Sequence, residues 1–138
     1  MPAPVFSDPW ARACGLALNQ NAAYRAAAAS WEGALLLRMS AEEGVEERLV
    51  FLDLWHGECR EARAAAPPEE AQARYVLTGT VLAWRQVLGG AVAPLVAIMT
   101  GRLRLTKGAL ADLVPYVTAA KELVATAAAV PCAFPGDP

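Results

Sequence analysis

The sequence predicts an α+β domain of two layers, a mainly antiparallel sheet with helices packed on one face. Three observations predict it. Apolar residues alternate with period two over 31–39, 45–55 and 102–107, as half-buried strands require. Alanine-rich stretches, "AAYRAAAAS" near the start and "VATAAAV" near the end, favour helix because alanine loses no side-chain entropy there. Strands and helices are also segregated along the chain, the order expected of a sheet covered on one side.

The first element is a helix in "SDPWARACGLALNQ": Asp8 is placed to cap it, Pro9 suits the first helical position, and Trp10, Cys14, Ala17 and Leu18 share a face. A second short helix re-caps at Asn19 or Asn21 and runs to about Ala29. In "SWEGALLLRMS" the period changes, with Trp31, Leu35, Leu37 and Met39 alternating against Glu32 and Arg38. After an "AEEG" turn, "VEERLVFLDLW" carries apolar residues on both faces, Val50, Leu52 and Leu54 against Leu49, Phe51 and Trp55. That places it inside the sheet. "HGECREARAAA" has polar or small residues on both faces and reads as an edge strand, where charges discourage further pairing. "PPEEAQ" reads as a loop and "ARYVLTG" as a fourth strand. Helical patterns follow in "VLAWRQVLGG" and "PLVAIMTG", each closed by glycine. "RLRLTK" is the fifth strand, Leu103 and Leu105 inward and Arg102 and Arg104 outward. The longest helix is expected from Ala109 to about Ala129, with Leu110, Leu113, Val117 and Val124 on its apolar face and Pro115 bending or dividing it. The tail "PCAFPGDP" reads as loop.

Residues 1–138 are read as one domain, long enough to bury roughly 68–70% of its unfolded surface without a disulfide or metal staple. Hydrophobic residues make up 56%, above the usual share of about 45–50%, which hints at a cavity or a partner face. With a net charge of −2 and no basic cluster, a nucleic-acid partner is not expected. Cys14, Cys59 and Cys132 fit no metal spacing and read as free thiols. The N-terminus lacks the pattern of a signal peptide, and no apolar run is long enough to span a bilayer. A soluble cytoplasmic protein without cofactor or metal is the expectation.

"LDLWHGECREA" holds the only histidine, His56, beside Cys59, Asp53 and Glu58. On an extended strand His56 and Cys59 point to opposite faces, so a nucleophile–base pair is not expected. The residues read as ordinary strand residues, against the alternatives of a polar lid or a catalytic role. Asp53, between Leu52 and Leu54, needs an arginine or a backbone N–H as partner.

The element order, together with "GGAVAPLVAIMTGRLRLTKG" (89–108), resembles the sterol carrier protein 2 (SCP2) family of small lipid-binding domains. Gly101, Arg102, Leu103, Arg104, Leu105 and Gly108 match the family's strand and the glycine before its last helix; "WEGALLLRM" and "VFLDLWHGEC" are similar to its first two strands. One residue more than the family pattern stands between Leu105 and Gly108, which a bulge would absorb, and Met99 stands where the family often carries an aromatic. The resemblance implies a five-stranded sheet, helices on one side and an apolar tunnel between. It also implies non-enzymatic carriage of a fatty acid, fatty acyl-CoA or sterol-like lipid. The apolar set Leu35, Leu37, Leu52, Leu54, Trp84, Leu88, Leu95, Ile98, Met99, Leu103, Leu105, Leu113, Tyr116 and Val117 is core by residue type, and by the resemblance it includes the ligand-binding lining. Arg102, Arg104 and Lys107 could attract a carboxylate, a phosphate or a membrane headgroup, or form a solvated face. Gly89, Gly90, Gly101 and Gly108 would let the 80–100 helices act as a flap. Beside a lipid ligand, the implied partners are a transient membrane contact and a second copy in a homodimer. Two other readings stand: an interaction module whose crevice its own side chains fill, and an enzyme using His56.

Overall fold

The computed structural model describes residues 2–137. A short strand β1 (Ala3–Pro4) precedes helices α1 (Asp8–Gln20) and α2 (Ala22–Ala27). Strands β2 (Glu32–Met39), β3 (Arg48–Trp55) and β4 (Glu58–Ala65) follow as a meander. Then come β5 (Tyr75–Gly79), α3 (Val81–Leu88), α4 (Pro94–Met99) and β6 (Leu103–Lys107). The chain ends with α5 (Leu110–Leu113), α6 (Val117–Ala129) and β7 (Cys132–Ala133). The main sheet has the order β4-β3-β2-β5-β6. Only β2 and β5 run parallel within it; its other pairs are antiparallel.

The start of α1 departs instructively from expectation. Ser7, not Asp8, is the cap, accepting from the Trp10 N–H at 3.4 Å. Asp8 instead accepts from Arg12 Nε (2.6 Å) and from the Ala64 N–H (3.0 Å), tying the helix to β4. That leaves one face of the β4 edge strand covered, not wet. A bulge opposite Asp53 and Leu54 explains why: it shifts the register so that Cys59 pairs with Leu54 and Ala62 with Leu52. Small residues thereby face α1, and a Cβ on Gly15 would stand only 2.7 Å from the Ala62 Cβ. Helix and strand approach closely because glycine and alanine leave room. Asn21 caps α2 through the Tyr24 N–H (3.0 Å) and also donates to Glu122 and Thr126 of α6.

His56 lies in a two-residue hairpin turn, not within a strand. His56 (φ 49°) and Gly57 (φ 82°) both have positive φ, as the favoured hairpin turn demands. The segment Pro67–Gln72 forms a 3₁₀ helix where loop was expected. It is anchored by Arg38 to Glu70, Arg63 to Glu69 and Lys107 to the Glu70 carbonyl, and leads the chain to the free side of β2. Leu36, Leu49, Phe51, Ala73 and Val76 make a small second core on the sheet's other face.

The extra residue near the end of β6 is a bulge: Leu77 pairs with Leu105 but Val76 with Lys107, leaving Thr106 over. Pro115 divides the last helix, with a 3₁₀ turn at Val114–Tyr116 between α5 and α6. The expected C-terminal loop contains β7, which pairs in parallel with β1 and so ties the two ends together.

Candidate functional site

α1 packs on β4 and β3, whereas α6 packs chiefly on α1, α2, α3 and α4. Between α6 and the sheet lies an apolar cavity of about 100 Å³. Its floor is Leu35, Leu37, Leu54, Leu77 and Leu103 of the strands; its roof is Ala119, Ala120, Leu123, Val124 and Ala127 of α6. The hollow has a simple cause. Alanine repeats along the inward face of α6, with Ala28 after α2, and its methyl groups stop short of the opposing leucines.

Aromatic rings close the sides. Phe6 stacks on Trp10 with centroids 5.3 Å apart and meets Trp84 edge-on at 5.1 Å. Trp31 packs against Tyr116 (4.9 Å) and Tyr75 (5.0 Å). A more open recess of about 250 Å³ adjoins the cavity, sharing Val87, Leu88, Pro94 and Val124 with it and carrying Lys121. Among the described residues no charged one lines the inner cavity.

Of the apolar set singled out in the sequence, Leu35, Leu37, Leu54, Trp84, Leu88, Leu95, Ile98, Leu103, Leu113 and Tyr116 border the cavity. Four do not, and each has a reason. Leu52 is buried in the core beneath the region where α1 packs on β3 and β4. Leu105, on the edge strand, packs against the core without reaching the free space. Met99 is 71% exposed at the end of α4, and Val117 is 40% exposed at the start of α6. The break at Pro115 resets the helical phase, so 119, 120, 123, 124 and 127 turn inward and 117 does not. Phe6, Trp10, Tyr24, Ala28, Trp31, Leu77, Val87 and the α6 alanines were not singled out. Trp10 and Trp31 read only as apolar-face residues of their elements, and the alanine repeat of the last helix read as helix propensity alone.

His56 is half exposed at the hairpin, 2.6 Å from Glu32 Oε2, its ring stacked on Trp55. Cys59 is buried on the helix side of β4 and donates to the Glu61 carbonyl (3.4 Å). Burial, assisted by the Asp53 charge, pushes its thiol up to about 11, which makes it a poor nucleophile at neutral pH. Burial likewise raises Cys14 to about 12 and moves Cys132 upward. Asp53 is paired with Arg60 (3.0 and 3.2 Å), whose guanidinium lies 4.9 Å from the Trp55 ring centre. Among the described residues no group of three His, Cys, Asp or Glu side chains could hold a metal ion. Arg102 and Arg104 are exposed, and Lys107 is held by the Glu70 and Ala71 carbonyls. No described helix is long and apolar enough to cross a membrane.

A half-open sandwich of sheet and helices around an apolar hollow defines a two-layer α+β domain. Comparison with known proteins gives the lineage. No family model matches the chain, and no curated protein does. Solved structures do. A crystal structure of sterol carrier protein 2 is 43% identical, with a TM-score of 0.85, over 91% of this chain and 98% of that one. A conserved hypothetical protein of Thermus thermophilus, described as a candidate sterol carrier protein, is 39% identical with a TM-score of 0.85, over 96% and 97%. The apo form of sterol carrier protein 2 from Yarrowia lipolytica, 15% identical with a TM-score of 0.58 over 86% and 88%, shares the fold. The chain belongs to the sterol carrier protein 2 family.

Proposed function

We propose that the chain works as one lipid-binding domain, a non-enzymatic carrier that holds a fatty acyl or sterol-like lipid between sheet and α6. The observation that carries this reading is the cavity itself: free volume enclosed by leucines, alanines and aromatic rings, with almost no polar surface. At about 10–15 Å³ for each water-sized sphere, 100 Å³ takes roughly seven to ten methylene-sized groups. Burying each contributes about 0.8 kcal/mol, so eight contribute about 6 kcal/mol before association costs. A charged headgroup finds no partner inside and belongs at the opening. Free volume of this size also speaks against a crevice filled by the protein's own side chains.

The test is mass spectrometry of protein purified natively and then denatured, joined to titration with saturated acyl ligands. Co-purifying lipid, or saturable one-to-one binding that strengthens with chain length, is the expected result. A protein that carries no lipid and takes up no acyl ligand refutes the proposal.

A further inference from the structure

Apolar side chains on a water-facing surface are ordinary when scattered and informative when gathered. Among the described residues eight large ones are exposed, and five of these fall within 96–117. They are Val96 and Met99 on α4, Leu110 on α5, Val114 in the turn after it and Val117 at the start of α6. Met99, at 71%, is the most exposed of the eight. The same elements turn Leu95, Ile98, Leu113 and Tyr116 toward the cavity, and those four are only partly buried. The apolar patch is therefore continuous with the cavity's rim.

Charge is distributed unevenly as well. Residues 87–130 carry four cations and two acids, whereas the rest of the chain carries eight cations and twelve acids. Both acids of the segment are engaged, Asp112 accepting from the Tyr75 hydroxyl (3.0 Å) and Glu122 from Asn21 (3.3 Å). Two of the cations stand beside α4. Arg102 follows Met99 by three residues, and Lys121 borders the open recess together with Pro94. Both are exposed, and among the described residues neither forms a salt bridge.

We propose that this α4–α6 surface docks on an anionic lipid bilayer, with Val96, Met99 and Val114 entering the headgroup region and Arg102 and Lys121 meeting lipid phosphates. The inference rests on the carrier reading for its purpose and on exposed residues for its chemistry. Apolar side chains gain by leaving water for the acyl boundary, and cations beside them are drawn to a negative surface. The first helix is a poorer candidate, since Leu16 is its one exposed large apolar residue and its Arg12 is paired with Asp8. A second copy is a poorer occupant, because a two-fold interface sets the patch against itself and brings like charges together.

The test is cosedimentation with phosphatidylcholine vesicles, with and without phosphatidylglycerol. The unaltered protein should bind the anionic vesicles and release them as salt is added. Arg102→Gln should weaken that binding roughly fivefold. Met99→Asp combined with Val114→Asp should weaken it at least about tenfold. Neither residue borders the cavity or the recess, so uptake of a fluorescent fatty acyl probe in solution should not change. If Leu16→Asp abolishes vesicle binding while the Met99/Val114 variant retains it, the proposal is overturned in favour of the first helix. A protein that binds neither vesicle also overturns it, as does one that is dimeric until the Met99/Val114 substitutions make it monomeric. A protein that docks by this surface yet takes up no acyl probe upholds the docking and refutes the carrier reading.

Discussion

Ala119 is buried on α6 and borders the cavity roof, opposite the leucines of the sheet. Leucine at that position adds three carbon atoms, at about 0.8 kcal/mol for each one buried. The sum is about 2.4 kcal/mol. Filling the cavity, at about 24 cal/mol for each Å³ of its 100 Å³, gives a ceiling of about the same size. Ordering the longer side chain costs about 0.5–1 kcal/mol of entropy. Ala119→Leu should therefore stabilise the fold by about 1.5–2 kcal/mol, a rise in Tm of roughly 5 °C. The same substitution removes room for about three methylenes of the ligand, so the longest chain held should shorten by about that number. Chains that had filled the cavity should lose roughly fiftyfold in affinity. Urea unfolding and titration with a C6–C14 series measure the two effects. A variant that is less stable than its parent, with an unchanged chain-length profile, would refute the placement of Ala119 against an empty space.

Four further outcomes follow from particular contacts. Gly57 has φ +82° and a Cβ there would overlap the Arg25 backbone, so Gly57→Ala should cost at least about 2 kcal/mol by thermal melting. Cys132 should react first with a thiol reagent, since Cys14 and Cys59 are buried with raised pKa values; peptide mapping of the labelled cysteines decides it. The same burial makes stability fall at alkaline pH. Above pH 9.0 the unfolded thiols lose protons while Cys59 holds its own to about 11 and Cys14 to about 12. The unfolded state then binds fewer protons, and each thiol lowers stability by up to about 1.4 kcal/mol per pH unit. Cys14→Ala should flatten that slope in urea melts at pH 8 to 10. His56→Asn suits the positive φ of the hairpin and removes only an exposed contact with Glu32 and the stacking on Trp55, so ligand affinity should not change and stability should move by less than about 1 kcal/mol.

Much of the architecture is local and was legible in the residues. Period-two apolar patterning marked β2, β3 and β6, because successive side chains of a strand point to opposite faces of the sheet. Pro115 marked the division of the last helix, because proline in a helix interior removes a helical hydrogen bond. The surplus residue before Gly108 marked the bulge at Thr106. These features need only the chain's own covalent geometry and the period of its apolar residues.

What the tertiary structure alone decided is non-local. Whether Asp8 caps its helix or binds the Ala64 N–H depends on where β4 lies, and the wet or dry character of β4 depends on a bulge that turns Cys59 and Ala62 toward α1. Pairing of β5 with β2, and of β7 with β1, depends on how the chain returns across the molecule. The cavity is the clearest case. An alanine on α6 is a good helix former in any sequence; it becomes the wall of a hollow only when leucines stand across from it with nothing between. Packing distance, set by Gly15, Pro115 and the helices that hold α6 off the sheet, is a property of three dimensions that no one-dimensional period can carry.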